Sequence, residues 1–146
     1  MHATMLFIHL VAGSIWVGGH LVLALSLLPE AIAKRDPELI EGFEHIYERI
    51  GLPALVVQVL TGFWLAHEIQ PGIETWLEWS DPVALTISLK LACLAATIAL
   101  AVHARLAIIP RLNAARLPML GAHVIAVTAL ALVFVWLGLG FRYGGV

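Results

Sequence analysis

The sequence predicts an all-α integral membrane protein, a four-helix bundle with up-down-up-down topology and both termini outside, on the periplasmic side. Composition is the first observation: 61% of the 146 residues are hydrophobic and only 12% are charged, and the mean hydropathy is +0.95. A water-soluble domain of this size could not bury so much apolar surface. The other two observations are four long apolar runs and a one-sided distribution of basic residues. Together they indicate a single transmembrane domain over residues 1–146.

Four apolar runs are long enough to cross about 30 Å of hydrocarbon. They cover about residues 4–28, 51–69, 83–109 and 118–140. Pro53 and Pro118 fall near the starts of the second and fourth runs, where a proline is tolerated in the first helical turn. The first run lacks a basic leading region and a small-residue cleavage site, so it is expected to be a retained span.

The basic residues predict the orientation of the bundle. Six of the eight fall in the connections that follow spans one and three, namely Lys34, Arg35, Arg49, Arg105, Arg111 and Arg116. The connection between spans two and three has none and carries acidic residues instead. The positive-inside rule therefore puts this acidic connection and both termini outside, in a multi-pass protein of the bacterial inner membrane. The lipid bilayer is the expected partner, and no basic patch suggests nucleic acid.

Residues 36–50 are expected to form an amphipathic helix at the inner membrane surface, as an entry to span two. The apolar residues of this segment share one broad face, made of Leu39, Ile40, Phe43, Ile46, Tyr47 and Ile50. Acidic and basic residues take the other side of the helix. His45, which lies on this segment, is interpreted as a solvated surface histidine.

The stretch from His9 to His20 is the most informative part of span one. These two histidines are the only side chains with real ionisation chemistry between Met5 and Leu28. A separation of 11 residues makes about three helical turns, so both imidazoles point the same way, about 16 Å apart along the axis. Titratable groups are expensive inside a membrane, so the pair indicates a functional site.

Depth counted along the four spans sorts the histidines into two layers. His9 and His67 fall in the outer half of the membrane, with Lys90 at a similar level. The inner half holds His20, His103 and His123. Each layer draws imidazoles from at least two helices, which is the pattern expected of metal centres held between helices.

Two facing imidazoles at one depth are what a b-type haem requires, because the iron takes one axial nitrogen from each side of the porphyrin. Small residues beside the candidate ligands would let the backbone approach a flat macrocycle, namely Gly13, Gly18, Gly19, Gly62, Ala96 and Ala99. Three imidazoles in one layer would equally suit a copper ion. The single cysteine, Cys93, excludes an internal disulfide and a C-x-x-C redox site.

Plainer interpretations stay open beside the metal centres. A lone intramembrane histidine often hydrogen-bonds a neighbouring helix, and glycines or alanines on a transmembrane face are usually close-packing devices. The long stem of Lys90 could carry its ammonium to the outer interface. A structural subunit of a larger membrane complex would fit the same residues.

Three stretches resemble a known family. They read IHLVAGSIWVGGHLVLAL, GLPALVVQVLTGFWLA and ISLKLACLAATIALAVHARLAIIPRL, and they look like the membrane domain of the bacterial copper-resistance D (CopD) family. The pattern H-x6-W-x-G-G, a T-G near the end of span two and a K-L opening span three are similar to the HemJ-type protoporphyrinogen oxidases, four-helix proteins of this length. The resemblance covers nearly the whole chain.

The resemblance implies a haem b near His9 and Lys90, which correspond to the functional histidine and lysine of the HemJ-type family. Its CopD side implies copper handling across the inner membrane. The chain departs from a copper conduit because, beyond the initiator, Met5 and Met119 are its only methionines and Cu(I) prefers soft sulfur ligands. His20 lies outside the HemJ-like pattern, so the inner layer is inferred from this sequence alone.

The function expected from these observations is redox, through one or two haem b groups held by transmembrane histidines. Electrons would pass between a membrane quinol or porphyrin-like donor and an acceptor at one surface, and Lys90 would hold a propionate or an anionic substrate. If the protein is an enzyme, it is expected to be an oxidoreductase. The alternative is a copper-binding or copper-transport protein that uses the same imidazoles with a periplasmic copper or redox partner. A homo-oligomer is compatible with either function.

Overall fold

The computed structural model describes residues 1–145, and every regular element in that range is helical. Four continuous helical stretches are long and apolar enough to cross a membrane: span one, His2–Lys34; span two, Glu38–Ile69; span three, Pro82–Arg111; and span four, Leu117–Tyr143. The α-helices within them are α1 His2–Val22, α2 Leu28–Lys34, α3 Glu38–Ile69, α4 Pro82–His103 and α5 Leu117–Gly140. The prediction of an all-α protein with four potential membrane spans is confirmed.

Spans one and three each contain one turn of π-helix near the same end of the bundle. These turns are Leu23–Leu27, between α1 and α2, and Ala104–Ile108, directly after α4. A π turn carries an extra residue and rotates the side chains that follow it, and such turns are frequent at functional sites. Here they come directly after the segments that carry His20 and His103.

The start of span two differs from the prediction. Residues 38–50, the predicted entry to span two, are the first part of the 32-residue helix α3 and continue into the span without a break. Pro53 therefore lies about four turns inside the helix instead of in its first turn. The helix continues because α3 packs on α1, with Ile40, Gly51 and Ala54 buried. This packing offsets the hydrogen bond that Pro53 cannot donate to the preceding turn.

Contacts between neighbouring spans pair early residues of one span with late residues of the next. Span one joins span two through His2 with Glu68 and, further along, His9 with Thr61. Span three joins span four through the histidine pair at positions 103 and 123, and at its other end through Lys90 with Phe141. Span one also packs on span four, where the Thr128 hydroxyl donates to the His20 carbonyl at 3.4 Å. Spans two and three both pack on these helices and scarcely touch each other.

The two ends of the gap between spans two and three differ. At one end the 3-10 turn Ile73–Leu77 packs on α4, and the buried Trp76 ring lies 6.0 Å from the ring of Phe63 in span two. At the other end a packed core joins spans one, two, three and four, formed by Leu23, Leu28, Ala31, Ile40, Ile108, Leu117, Leu120 and Val124. Between the two lies an open space whose lining is mostly apolar, with a few polar side chains such as His20, Glu48 and Arg105.

Spans one and two interlock because each presents glycines to bulky side chains of the other. The Tyr47 ring fills the space over Gly19 and Gly51, where an added Cβ would lie 2.2 Å and 2.6 Å from ring atoms. The Tyr47 hydroxyl donates to the Ile15 carbonyl at 2.9 Å. The Gln58 side chain packs against Gly13 in the same way, and the His9 ring packs against Gly62. These glycines are therefore packing positions, as the plainer interpretation predicted for them.

We expect Gly19→Ala to destabilise the protein while Gly18→Ala does not. The alanine at position 19 would collide with the Tyr47 ring, whereas nothing lies within 4 Å of a Cβ at position 18. Overpacking of this kind costs about 1–3 kcal/mol, and alanine at an open helical position is neutral or stabilising by up to about 1 kcal/mol. Unfolding in detergent micelles, followed by tryptophan fluorescence, measures both free energies. Equal effects of the two substitutions would contradict the interlock.

Candidate functional site

The open space between spans two and three narrows to a cleft of about 340 Å³ in the half of the bundle that holds the packed core. We call it the inner cleft. All four spans contribute to its walls, which include Trp16, His20, Phe43, Glu44, Tyr47, Glu48, Leu100, Arg105, His123 and Val127. The cleft exists because spans two and three lie on either side of spans one and four without packing on each other.

His20 is held in one orientation on the wall that span one provides. Its Nδ1 lies 2.9 Å from the Trp16 carbonyl one turn earlier, and its ring packs 4.3 Å from the Trp16 ring, measured between centroids. A carbonyl oxygen can only accept, so Nδ1 is the donor and a neutral ring leaves the lone pair on Nε2. His20 therefore offers an unprotonated nitrogen of the kind that ligates iron.

His103 and His123 form a hydrogen-bonded pair across spans three and four. Nδ1 of His103 lies 2.8 Å from Nε2 of His123, and the two rings stack at 4.9 Å. Nδ1 of His123 lies 3.0 Å from the Met119 carbonyl and must donate to it. It follows that Nε2 of His123 accepts from His103, and that the free lone pair of the pair is on Nε2 of His103. His20 and His123 line the inner cleft, and His103, which is not part of the lining, is joined to them through its hydrogen bond with His123.

An ion pair crosses the gap at the inner cleft. The Arg105 guanidinium donates to both carboxylate oxygens of Glu48, at 2.8 and 3.1 Å. Glu44, one turn earlier on the same helix, lines the cleft beside it. These three residues were not among the predicted site residues, which were histidines and a lysine. The only signal in the sequence was the i, i+4 spacing of the two glutamates on the amphipathic segment.

His9 lies between spans one and two, with its ring against Gly62. Its Nδ1 is 2.9 Å from the Thr61 hydroxyl oxygen, and that hydroxyl donates to the Val57 carbonyl at 2.7 Å. Nδ1 of His9 is therefore the donor and Nε2 carries the lone pair, as in His20. Nearby, the buried Oε1 of Gln58 finds no donor within residues 1–145.

Lys90 lies inside span three at the level of His9. Its ammonium is 4.9 Å from the centre of the Phe141 ring and 3.5 Å from the position of a Cβ on Gly138. It is close enough to His9 for a Coulombic interaction. Among the described residues no carboxylate pairs with it, so its charge is met by an aromatic face alone.

The structure does not bring His67 to His9. His67 is exposed near the end of α3, and within residues 1–145 no hydrogen bond or ring contact links the two. His9 faces Thr61 and Gly62, and position 67 is rotated well away from that face of the helix. The small residues also differ in role, because Gly18 faces open space and Ala96 and Ala99 are exposed.

No group of three or more His, Cys, Asp or Glu side chains that could hold a metal ion occurs in the part of the chain that the structure describes. The layer of three imidazoles considered for copper is therefore not assembled there. Haem iron needs only two imidazoles, one on each face, so it does not require a group of three.

Comparison with models of protein families, with curated proteins and with solved structures found no match for this chain. The resemblance to the CopD and HemJ-type families therefore stays a prediction, carried by the quoted stretches alone.

We expect His103 and His123 to be energetically coupled in the cofactor-free protein. A double-mutant cycle of His103→Ala and His123→Ala should give a coupling free energy of about 0.6 kcal/mol, and at most about 1.7 kcal/mol, the range of interhelical hydrogen bonds in membranes. Unfolding in mixed micelles of increasing SDS content provides the four free energies. The matched cycle of His103→Ala with His45→Ala should give none, and a zero value for both cycles would contradict the bonded pair.

Proposed function

We propose that this protein is a redox protein of the bacterial inner membrane that holds haem b in the inner cleft between spans two and three. Haem b supplies one-electron redox chemistry when it is bound. The chain supplies the axial nitrogens, the apolar walls and the charged group at the mouth of the cleft. A protein of this design would carry electrons between a lipid-soluble donor and an acceptor at one membrane surface.

The observation that supports this most is the orientation of the inner histidines. His20 and His123 line the same cleft from different helices, and each donates Nδ1–H to a backbone carbonyl one turn earlier. Histidines that bind a metal usually make such a hydrogen bond from the other ring nitrogen, because it fixes the ring and raises the basicity of Nε2. The first axial nitrogen in the proposal is Nε2 of His20.

The His103–His123 pair would supply the second nitrogen that holds the haem. Nε2 of His123 accepts a hydrogen bond from His103, so His123 becomes a ligand only if His103 turns away. His103 is not part of the cleft lining, and its free Nε2 would become a ligand only if its ring turned toward the cleft.

The residues around these nitrogens fit a macrocycle with an apolar body and two carboxylates. Trp16, Phe43 and Tyr47 provide aromatic surface on one side of the inner cleft, and small residues of span three, such as Ala101, lie on the other. Arg105 provides the cation at the mouth, where Glu48 now occupies it. Propionates are matched to such a guanidinium, because its fork binds a carboxylate in two places.

His9 and Lys90 are proposed to serve the outer side of the same gap. Lys90 is an ammonium without a carboxylate partner in the described chain, so a propionate or an anionic substrate would supply the missing negative charge. Spans two and three scarcely pack on each other, so the gap between them would open towards the lipid in a membrane. A quinol or a porphyrin-like donor dissolved in the membrane would reach the site through this opening without crossing water.

We expect detergent-purified protein, supplied with haem during expression, to show a Soret band and sharp α and β bands after dithionite reduction. His20→Ala should reduce the bound haem to background, because it removes a nitrogen that no neighbouring side chain replaces. His45→Ala, an exposed histidine of span two, is the matched control and should leave the spectrum unchanged. Iron and copper are measured on the same samples.

Three results would overturn the haem proposal. One is a featureless spectrum of folded wild-type protein despite haem supplementation. A second is full haem retention in His20→Ala and in the double variant of His103 and His123. The third is stoichiometric copper without iron, which would favour the copper-handling alternative.

We also propose that the four spans alternate in direction across the membrane, with both termini and the connection 70–81 outside. The opposite directions of the contacts between spans one and two and between spans three and four support this alternation. The distribution of basic residues supports the orientation.

In a Cys93→Ala background, Glu78→Cys should react with a membrane-impermeant maleimide in intact spheroplasts, and Asn113→Cys should react only after permeabilisation. Both positions are exposed in connections on opposite sides of the proposed bundle. Labelling of both from the outside would exclude the alternation, and the reversed pattern would invert the orientation.

A further inference from the structure

A second concave surface lies on the other side of span one, away from the inner cleft. It is a groove of about 420 Å³ between α1 and α3, which we call the α1–α3 groove. Its walls are apolar and include Phe7, Val11 and Ile15 from α1 and Pro53 and Val57 from α3. Phe7 is 67% exposed and Val11 44% exposed, so the groove opens to the surroundings of the bundle, which in a membrane protein are lipid.

One charged residue lines the α1–α3 groove, and it lies at one end. Arg49 and Ile15 mark that end and Phe7 and Val57 mark the other, because α1 and α3 run in opposite directions. Along α1 the lining from Phe7 to Ile15 measures about 12 Å. The groove therefore joins a cation at one end to an apolar channel that runs alongside the helices.

Arg49 is exposed and has no carboxylate partner among residues 1–145. Its polar contact is with His45, whose Nε2 lies 3.4 Å from a guanidinium nitrogen. The neighbouring Glu48 is engaged by Arg105 on the other side of the helix. The Arg49 guanidinium thus keeps donors available for an anion.

The level of Arg49 suits a phosphate at the membrane surface. The apolar part of α3 that follows it, residues 51–69, is about 28 Å long, close to the thickness of the hydrocarbon. Arg49 therefore lies where span two enters the hydrocarbon on the basic side of the bundle.

We propose that the α1–α3 groove is a binding site for one anionic phospholipid of the inner leaflet. The phosphate binds the Arg49 guanidinium through two hydrogen bonds, and one acyl chain lies along the apolar walls from Ile15 towards Phe7. Guanidinium groups bind phosphate in this bidentate way. An acyl chain lying in the groove covers the apolar walls more closely than bulk lipid would. The site does not depend on haem and has no residue in common with the inner cleft.

The test measures lipids that stay bound to the detergent-purified full-length protein by native mass spectrometry. Equal amounts of phosphatidylglycerol and phosphatidylcholine with identical acyl chains are the probes. Wild-type protein should retain phosphatidylglycerol in preference, and Arg49→Gln should weaken that preference about fivefold, because the phosphate in the groove loses its guanidinium partner. Arg111→Gln, an exposed arginine without a carboxylate partner in the described chain, is the matched control and should change nothing.

A second variant tests the apolar half of the site without touching the charge. Val11→Trp places a large ring in the groove at an exposed position, and it should reduce retention of both lipids while leaving the thermal unfolding of the protein unchanged. The proposal is overturned if Arg49→Gln and Arg111→Gln have equal effects. It is also overturned if Val11→Trp changes the oligomeric state in place of lipid retention, because the groove would then be an interface with a second copy.

Discussion

The rest of the structure depends on the close contact between spans one and two. Lipid tails are as apolar as leucine, so helices in a bilayer associate through close packing and hydrogen bonds and gain little from burying apolar surface. Here the Tyr47 ring occupies the space over Gly19 and Gly51, and its hydroxyl donates to a carbonyl of span one. The adjacent carbonyl, that of Trp16, accepts hydrogen bonds from both the Tyr47 hydroxyl and the His20 ring. The contact that joins the helices therefore also orients the imidazole at the inner cleft.

The order of the helices follows from this contact and explains where the polar groups lie. Span one packs on spans two and four, and span three packs on span four, so spans two and three are left on the two sides of a gap. Polar side chains inside a membrane must face such a gap or bond to a neighbouring helix. His20, Glu48 and Arg105 face the gap, and His9 bonds to Thr61. These four residues are thus divided between the gap and the interface of spans one and two.

Counting along the sequence was sufficient for the four helical spans and for the common level of the inner histidines, because both depend on local periodicity and length. It was not sufficient for His67, whose neighbours depend on which face of α3 packs on span one. The Arg105–Glu48 pair joins residues 57 positions apart, and no local pattern indicates such a contact. Gly19 was expected to admit a macrocycle, yet its space is taken by Tyr47, since a glycine in the sequence does not say which partner will approach it.

The two arginines and the lysine near the bundle's surfaces differ in what balances their charge, and this difference has a physical consequence. Arg105 has a carboxylate across the gap, whereas Lys90 meets only an aromatic face and Arg49 only an imidazole. A cation–π contact contributes about 0.5–2 kcal/mol, which is small beside the cost of holding an ammonium in hydrocarbon. An anion that bound at either place would recover part of that cost, so affinity for anions at Lys90 and at Arg49 follows from the same imbalance. The positions would differ in the shape of the anion they accept, because Lys90 lies inside span three near His9 and Arg49 lies at the end of the apolar α1–α3 groove.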